Sequence, residues 1–256
     1  VDEVELDDLN GSPLLRAARL SARFEWMPLL REGRISVHTA QVFGLHLTMN
    51  RTRPEEPLNL QFLLDAFASS DTSENNRIDL RINSLLVRRC RLRYDVMSEK
   101  VTPGVFNPNH IAVDNINATM ALKAFRHDSL NVQVKRLDLT EQSGFRLDGL
   151  QMHLLGNPQM INFNEFEMSL PDSRIRFDFI HINLAEVEGD TTLARPYLSR
   201  IDGRMRRSYL TPADLASFMP KLRHFRDAMY VDASVRGDRE MLEIPLMQVR
   251  SQGDQV

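Results

Sequence analysis

Seven segments of the chain space their apolar residues at intervals of two, three and two. They are Ile35-Val37-Ala40-Val42, Leu80-Ile82-Leu85-Val87, Ile111-Val113-Ile116-Ala118, Val132-Val134-Leu137-Leu139, Phe145-Leu147-Leu150-Met152, Ile161-Phe163-Phe166-Met168 and Ile175-Phe177-Ile180-Ile182. At about 100° per residue such positions scatter around a helix and make no stripe. In an extended chain, residues two apart share a face, and an interval of three is expected to move the second pair to the other face. The pattern predicts β-strands, each with a bulge or bend near its middle. Sets starting at 132, 145, 161 and 175 imply roughly 13 to 16 residues per strand and turn, slightly above the usual antiparallel spacing.

The remaining elements fit around these strands. Arg19 to Trp26 reads as a short strand, followed by a tight apolar turn at Met27-Pro28-Leu29-Leu30, and Arg34 to Met49 as two strands divided near Gly44. Leu60, Leu63, Leu64 and Phe67 fall at helical spacing and predict a short helix near 58–68, with a polar loop from Ser69 to Asn76. A second helix is expected near 212–219. Thr211 serves as its N-cap, Pro212 as its first residue, Asp214 as its first-turn carboxylate, and Pro220 as its stop. Strand residues return at Met229, Val231, Ala233 and Val235, then from Met241 to Val249 after a turn at Gly237. The expected fold is mainly β: an elongated, curved, mostly antiparallel sheet with two short helices. No Gly/Ser-rich or Pro-rich linker intervenes, so 1–76 and 77–256 read as two lobes of one continuous sheet.

Composition narrows the function classes. A formal net charge of −3 gives no general attraction to nucleic acid or an anionic membrane. Arginine supplies 28 of the 32 basic residues, which suits bidentate phosphate contacts, but a codon bias toward arginine is the favoured reading. Arg89, Arg91 and Arg93 alternate along one predicted strand, as a phosphate ladder would. No stacking aromatics are interleaved with them, so a solvated face opposite Cys90, Leu92 and Tyr94 is the expectation. Arg204, Arg206 and Arg207 read the same way. Cys90 is the single cysteine, which rules out an intramolecular disulfide. No stretch approaches the ~20 apolar residues of a membrane helix. The opening at Val1 and the polar run from Arg250 to Val256 suggest a segment of a longer protein, with any anchor outside it.

Candidate chemistry is sparse. Histidines at 38, 46, 110, 127, 153, 181 and 224 show no paired metal spacing and no cysteine partner. Glu165 and Glu167 would share a strand face and could act as an acid–base pair, although solvated strand charges are the commoner arrangement. Gly144, Gly149 and Gly156 lack a strand–GxGxxG–helix unit, and no GxSxG elbow exposes a serine. The sequence therefore points to no catalytic residue, metal or cofactor.

Three blocks carry a resemblance. Pro28-Leu29-Leu30-Arg31-Glu32-Gly33-Arg34-Ile35-Ser36-Val37, Val42-Phe43-Gly44-Leu45-His46-Leu47 and Pro57-Leu58-Asn59-Leu60-Gln61-Phe62-Leu63-Leu64 resemble the entry signature of the AsmA/TamB family. Phe106-Asn107-Pro108-Asn109-His110 and Ser143-Gly144-Phe145-Arg146-Leu147 are similar to TamB-like envelope proteins. The N-terminal membrane helix and the C-terminal assembly domain of that family are absent from this sequence. The resemblance implies a periplasmic bridge, tethered to the inner membrane by that helix, whose apolar concave face shelters phospholipid acyl chains. It also implies an outer-membrane assembly barrel of the TamA/BamA type as partner through the absent C-terminal part, and no nucleic acid. On this reading Phe145, Leu147, Ile161, Phe163, Ile175 and Phe177 are the candidate groove residues, sharing one phase in three strands and expected to stack into a band. A scaffold for outer-membrane β-barrel assembly and a closed structural β-sandwich are the alternatives.

Overall fold

A computed structural model describes residues 1–25, 35–63, 65, 80–126, 129–185 and 197–251. The expected turn at 27–30, the loop at 69–76 and the end of the first helix lie outside the described residues. Strands hold 69% of the residues, so the chain is mainly β, as its spacing predicts. In chain order they are β1 (Asp2–Asp7), β2 (Pro13–Glu25), β3 (Ile35–Phe43), β4 (His46–Arg51), β5 (Leu80–Val96), β6 (His110–Arg126), β7 (Ser129–Glu141), β8 (Arg146–Leu147), β9 (Gly149–Asn157), β10 (Met160–Ser169), β11 (Arg174–Ala185), β12 (Tyr197–Leu210), β13 (Met229–Gly237) and β14 (Leu242–Ser251).

All fourteen strands of the described residues belong to one large, mostly antiparallel sheet, in the order β1-β2-β3-β5-β6-β7-β9-β10-β11-β12-β13-β14. β4 bridges β2 and β5, and β8 extends the strip beside β7. The parallel step is the pairing of β3 and β4 with β5. A parallel neighbour needs a long return connection, and the residues between Arg51 and Leu80 supply it. β3, Gly44, Leu45 and β4 form one track against β5 at a constant offset of 45, from Ile35 opposite Leu80 to Arg51 opposite Val96. Gly44 sits in that track at φ +61, where an added Cβ would lie 3.1 Å from the Ala18 Cβ. Glycine is required there for both reasons.

The mid-strand interval of three is a bulge, and it corrects one expectation. Asn115 and Glu165, inside the three-residue intervals of β6 and β10, have φ of 54° and 53°, and Arg89 and Arg207, elsewhere in β5 and β12, have φ of 50° and 48°. Register breaks fall beside them. The extra residue does not transfer the second apolar pair to the other face. Ile180 stands opposite Gly203 and Phe177 opposite Met205, while Met205, Arg204 and Gly203 pair in unbroken register with Ala233, Ser234 and Val235. Gly203 and Met205 share a face, so Phe177 and Ile180 do too. Leu147 and Leu150, also three apart, pack in one cluster. The bulged residue absorbs one step of the alternation, and all four apolar residues of a set line the same face.

The first predicted helix is present at 61–63 and 65, and the rest of its expected span after 60 lies outside the described residues. The second differs from expectation. Pro212–Leu215 and Pro220–His224 are 3-10 turns instead of an α-helix over 212–219. The intended capping groups bond elsewhere: the Thr211 hydroxyl donates to the Asp172 carbonyl (2.8 Å), and Asp214 accepts from the Ser173 hydroxyl (2.6 Å). These bonds tie 211–228 to the β10–β11 turn and leave no N-terminal cap to nucleate a helix.

Candidate functional site

Register assembles the repeated spacing into long apolar rows. Phe24, Val37, Ile82, Leu122, Val132, Leu154, Phe163, Ile180, Gly203 and Val235 are successive cross-strand partners from β2 to β13. At 4.7–4.9 Å between strands the row is about 43 Å long. A second row runs beside it from Leu80 through Phe125, Leu130, Gly156, Ile161, Ile182, Ile201 and Gly237 to Leu242. Phe163 and Ile161 are two apart on one strand, so the rows share a face. The opposite face carries Asn131, Leu155, Asn162, His181, Asp202, Arg236 and Glu243 in the same register, with Arg236 3.7 Å from Asp202.

No second layer covers these rows among the described residues. Most of their side chains are half-buried, and Phe24 and Phe125 are exposed. Few apolar side chains among the described residues are buried. An apolar band of this length, left uncovered by the described residues, makes this face the candidate binding surface of the chain.

One end of the face is closed. Segment 211–228 crosses it, placing Leu215 against the buried cluster of Leu147, Leu170 and Ile175. The Phe218 ring lies 5.1 Å from both Phe106 and Phe145. Phe106 N–H donates to the Ser217 carbonyl (2.7 Å), and Ala213 N–H to the Phe225 carbonyl (2.9 Å). The Phe106 bond on one side and the Asp172 and Ser173 bonds on the other hold the segment in place, and the Ala213–Phe225 bond closes it on itself.

This end cap divides the six residues singled out by phase. Ile161 and Phe163 lie in the open rows. Phe145, Leu147, Ile175 and Phe177 pack at the capped end, where Leu147 and Ile175 are buried. The six do not stack into one band. Phe163 faces Ile180, and Phe177 faces Phe166 with rings edge-to-face at 5.7 Å. Antiparallel neighbours reverse direction, so equal phase in sequence means opposite ends of the sheet. Leu154, Ile180, Ile182 and Ile201 complete the open rows. The repeated intervals already contained Ile180 and Ile182, but only the register places them beside Phe163 and Ile161.

Electrostatic features elsewhere are paired. Arg91 meets Asp114 at 3.1 Å and Arg93 meets Asp95 at 2.6 Å, while the Arg89 guanidinium sits 4.7 Å over the Phe43 ring. The arginine ladder is a solvated, ion-paired face. Arg206 pairs with Asp178 (2.8 Å). Glu167 is held by Arg174 and Arg176 at 3.0 and 3.2 Å, whereas Glu165 is exposed on its bulge, so the two carboxylates form no acid–base pair. Cys90 is buried in the sheet. Among the described residues no three His, Cys, Asp or Glu converge as metal ligands, and no helix is long and apolar enough to cross a membrane.

The most organised polar group is at the β5–β6 connection. His110 Nδ1 lies 2.9 Å from Asp95 Oδ1, and Nε2 lies 2.9 Å from the Glu99 carbonyl, with the ring 7% exposed. Both nitrogens face acceptors, which favours the doubly protonated ring. The Asp95 hydrogen bond, then the Glu99 carbonyl, raises the His110 pKa. Burial pushes Asp95 upward, but hydrogen bonds from His110 and Arg93 outweigh it and leave its pKa lowered. With both nitrogens engaged, this histidine staples a loop.

No family model, curated protein or solved structure matches the chain.

Proposed function

We propose that the chain is a periplasmic segment of a TamB-like bridge, whose apolar face holds phospholipid acyl chains in transit between inner and outer membranes. The observation that carries this reading is the pair of apolar rows, one of them spanning ten strands, open on a sheet whose other face is polar. Acyl chains need apolar contact without directional bonds, and a continuous row of Val, Ile, Leu and Phe offers that at every step along its length. The sequence blocks resembling the AsmA/TamB family point the same way. Native mass spectrometry of the purified chain tests it: co-purified phospholipid is expected, and a lipid-free chain that takes up none from vesicles refutes it.

A second reading, a scaffold for outer-membrane β-barrel proteins, would have a client strand add to the sheet by β-augmentation beside the open apolar rows. Capture of unfolded barrel strands without lipid uptake would favour it. A closed sandwich is disfavoured by the single sheet and its half-exposed rows.

A further inference from the structure

The segment that caps one end of the apolar face has an outer side of unusual composition. Its second 3-10 turn, Pro220–His224, is flanked by Met219 and Phe225, which are 53% and 61% exposed. From Phe218 to Arg226 the chain carries Lys221, Arg223 and Arg226 and no carboxylate. None of these three cations has an ion-pair partner among the described residues. The chain as a whole stands at −3, so this positive charge is local, and it is concentrated where large apolar side chains protrude. The β5–β6 connection adjoins the turn through the Phe106–Ser217 bond and the Phe106–Phe218 ring contact. It exposes Met97 and Val101 on either side of Glu99 and Lys100. Those two charges offset each other, so this second tip adds apolar reach without net charge.

We propose that the turn at 219–226 docks on the surface of an anionic phospholipid bilayer. Met219 and Phe225 enter the interface, and Lys221, Arg223 and Arg226 meet the phosphates. Apolar side chains that protrude singly gain by burial at the headgroup boundary, and basic side chains keep their charged ends among the headgroups. Each cation near an anionic surface is worth about fivefold in partitioning. An acidic peptide is the other partner of matching charge, but it would need a groove or a strand edge to lie in. The turn has no such edge: the Leu222 and Phe225 N–H groups donate to the Met219 and Leu222 carbonyls at 2.9 and 3.0 Å. It is also fixed in advance by the Ala213–Phe225 bond and by the bonds of Thr211 and Asp214 to the β10–β11 turn, so docking orders little further chain. The proposal rests on the outer side of the cap and is independent of what occupies the apolar rows.

Flotation of the chain with vesicles tests the docking. Binding is expected to vesicles of phosphatidylcholine mixed with phosphatidylglycerol, and not to pure phosphatidylcholine. The double variant Lys221→Gln with Arg223→Gln should bind about 25-fold more weakly, and Phe225→Ser about tenfold. Lys123→Gln, exposed near the opposite end of β6 from Phe106, should change nothing. All replaced side chains are exposed, and native circular dichroism is checked first. An environment-sensitive dye on Met219→Cys should shift to the blue on the mixed vesicles, with the buried Cys90 unlabelled. Phe163→Arg should float like the unaltered chain, which separates docking by the cap from acyl binding in the rows. Equal binding to both kinds of vesicle, a double variant no weaker than Lys123→Gln, or a dye that stays in water on the bound chain overturns the proposal. So does capture of an acidic peptide by the turn without any flotation.

Discussion

Placing a charge in the middle of the longer apolar row separates an acyl-binding face from an incidental one. Phe163 is flanked across the sheet by Leu154 and Ile180 and is half-buried. A phenylalanine side chain covers about 200 Å², so on the order of 100 Å² of it remains for an acyl chain. At about 25 cal/mol per Å² that contact is worth about 2.5 kcal/mol, or roughly sixtyfold in affinity. An arginine in hydrocarbon adds about 2.5–3.5 kcal/mol of cost, less whatever it recovers by reaching toward water. Phe163→Arg should therefore lower binding of a photo-crosslinkable phospholipid by roughly sixtyfold or more. The control is Asn162→Arg, one residue away on the polar face beside Leu155 and His181. Both proteins are first checked for native circular dichroism. A folded Phe163→Arg protein that labels as strongly as Asn162→Arg refutes the assignment of this face to lipid.

Three further outcomes are expected. Leu147→Ala empties a site buried under segment 211–228 and should cost about 2–5 kcal/mol, read as a lower urea midpoint at unchanged m; Ile161→Ala, on the open row, should cost about half as much. The raised His110 pKa contributes stability in full below about pH 6.5, lost as pH rises through the folded value, while the lowered Asp95 pKa contributes above about pH 3.9, lost as pH falls. The urea midpoint should then decline on the alkaline side of about pH 6.5, and this decline should flatten in His110→Asn; an equal decline in both proteins speaks against the staple. Glu165→Gly relieves a left-handed backbone that costs a side-chain-bearing residue roughly 1–2 kcal/mol, less about 0.5–1 kcal/mol of added chain entropy, so a small rise in thermal midpoint is expected. Asn115→Gly should be near neutral, because asparagine tolerates that conformation, and a lowered midpoint for Glu165→Gly would contradict the bulge account.

The interval pattern is local, and what it determines is local. Two-three-two spacing in Ile161-Phe163-Phe166-Met168 is enough to call a strand and to locate its bulge at Glu165, because alternation and its interruption are properties of one chain segment. Gly44 was legible for the same reason, as the break between two strands. The spacing does not say which way the chain leaves the bulge. The extra residue restores the original face, and the register of β11 on β12 establishes this at Phe177 and Ile180, where no residue of β11 is left-handed. Neither does phase say where along the sheet a residue lies. Strand reversal sends Ile175 and Phe177 to the capped end and leaves Ile161 and Phe163 in the open. The helix expected at 212–219 failed because Asp172 and Ser173, about forty residues earlier, take the bonds that its cap would have used. Strands, bulges and apolar content were written in the sequence. The shared face, its continuity over about 43 Å and the closure of one end come from pairing between distant segments, which no local interval encodes.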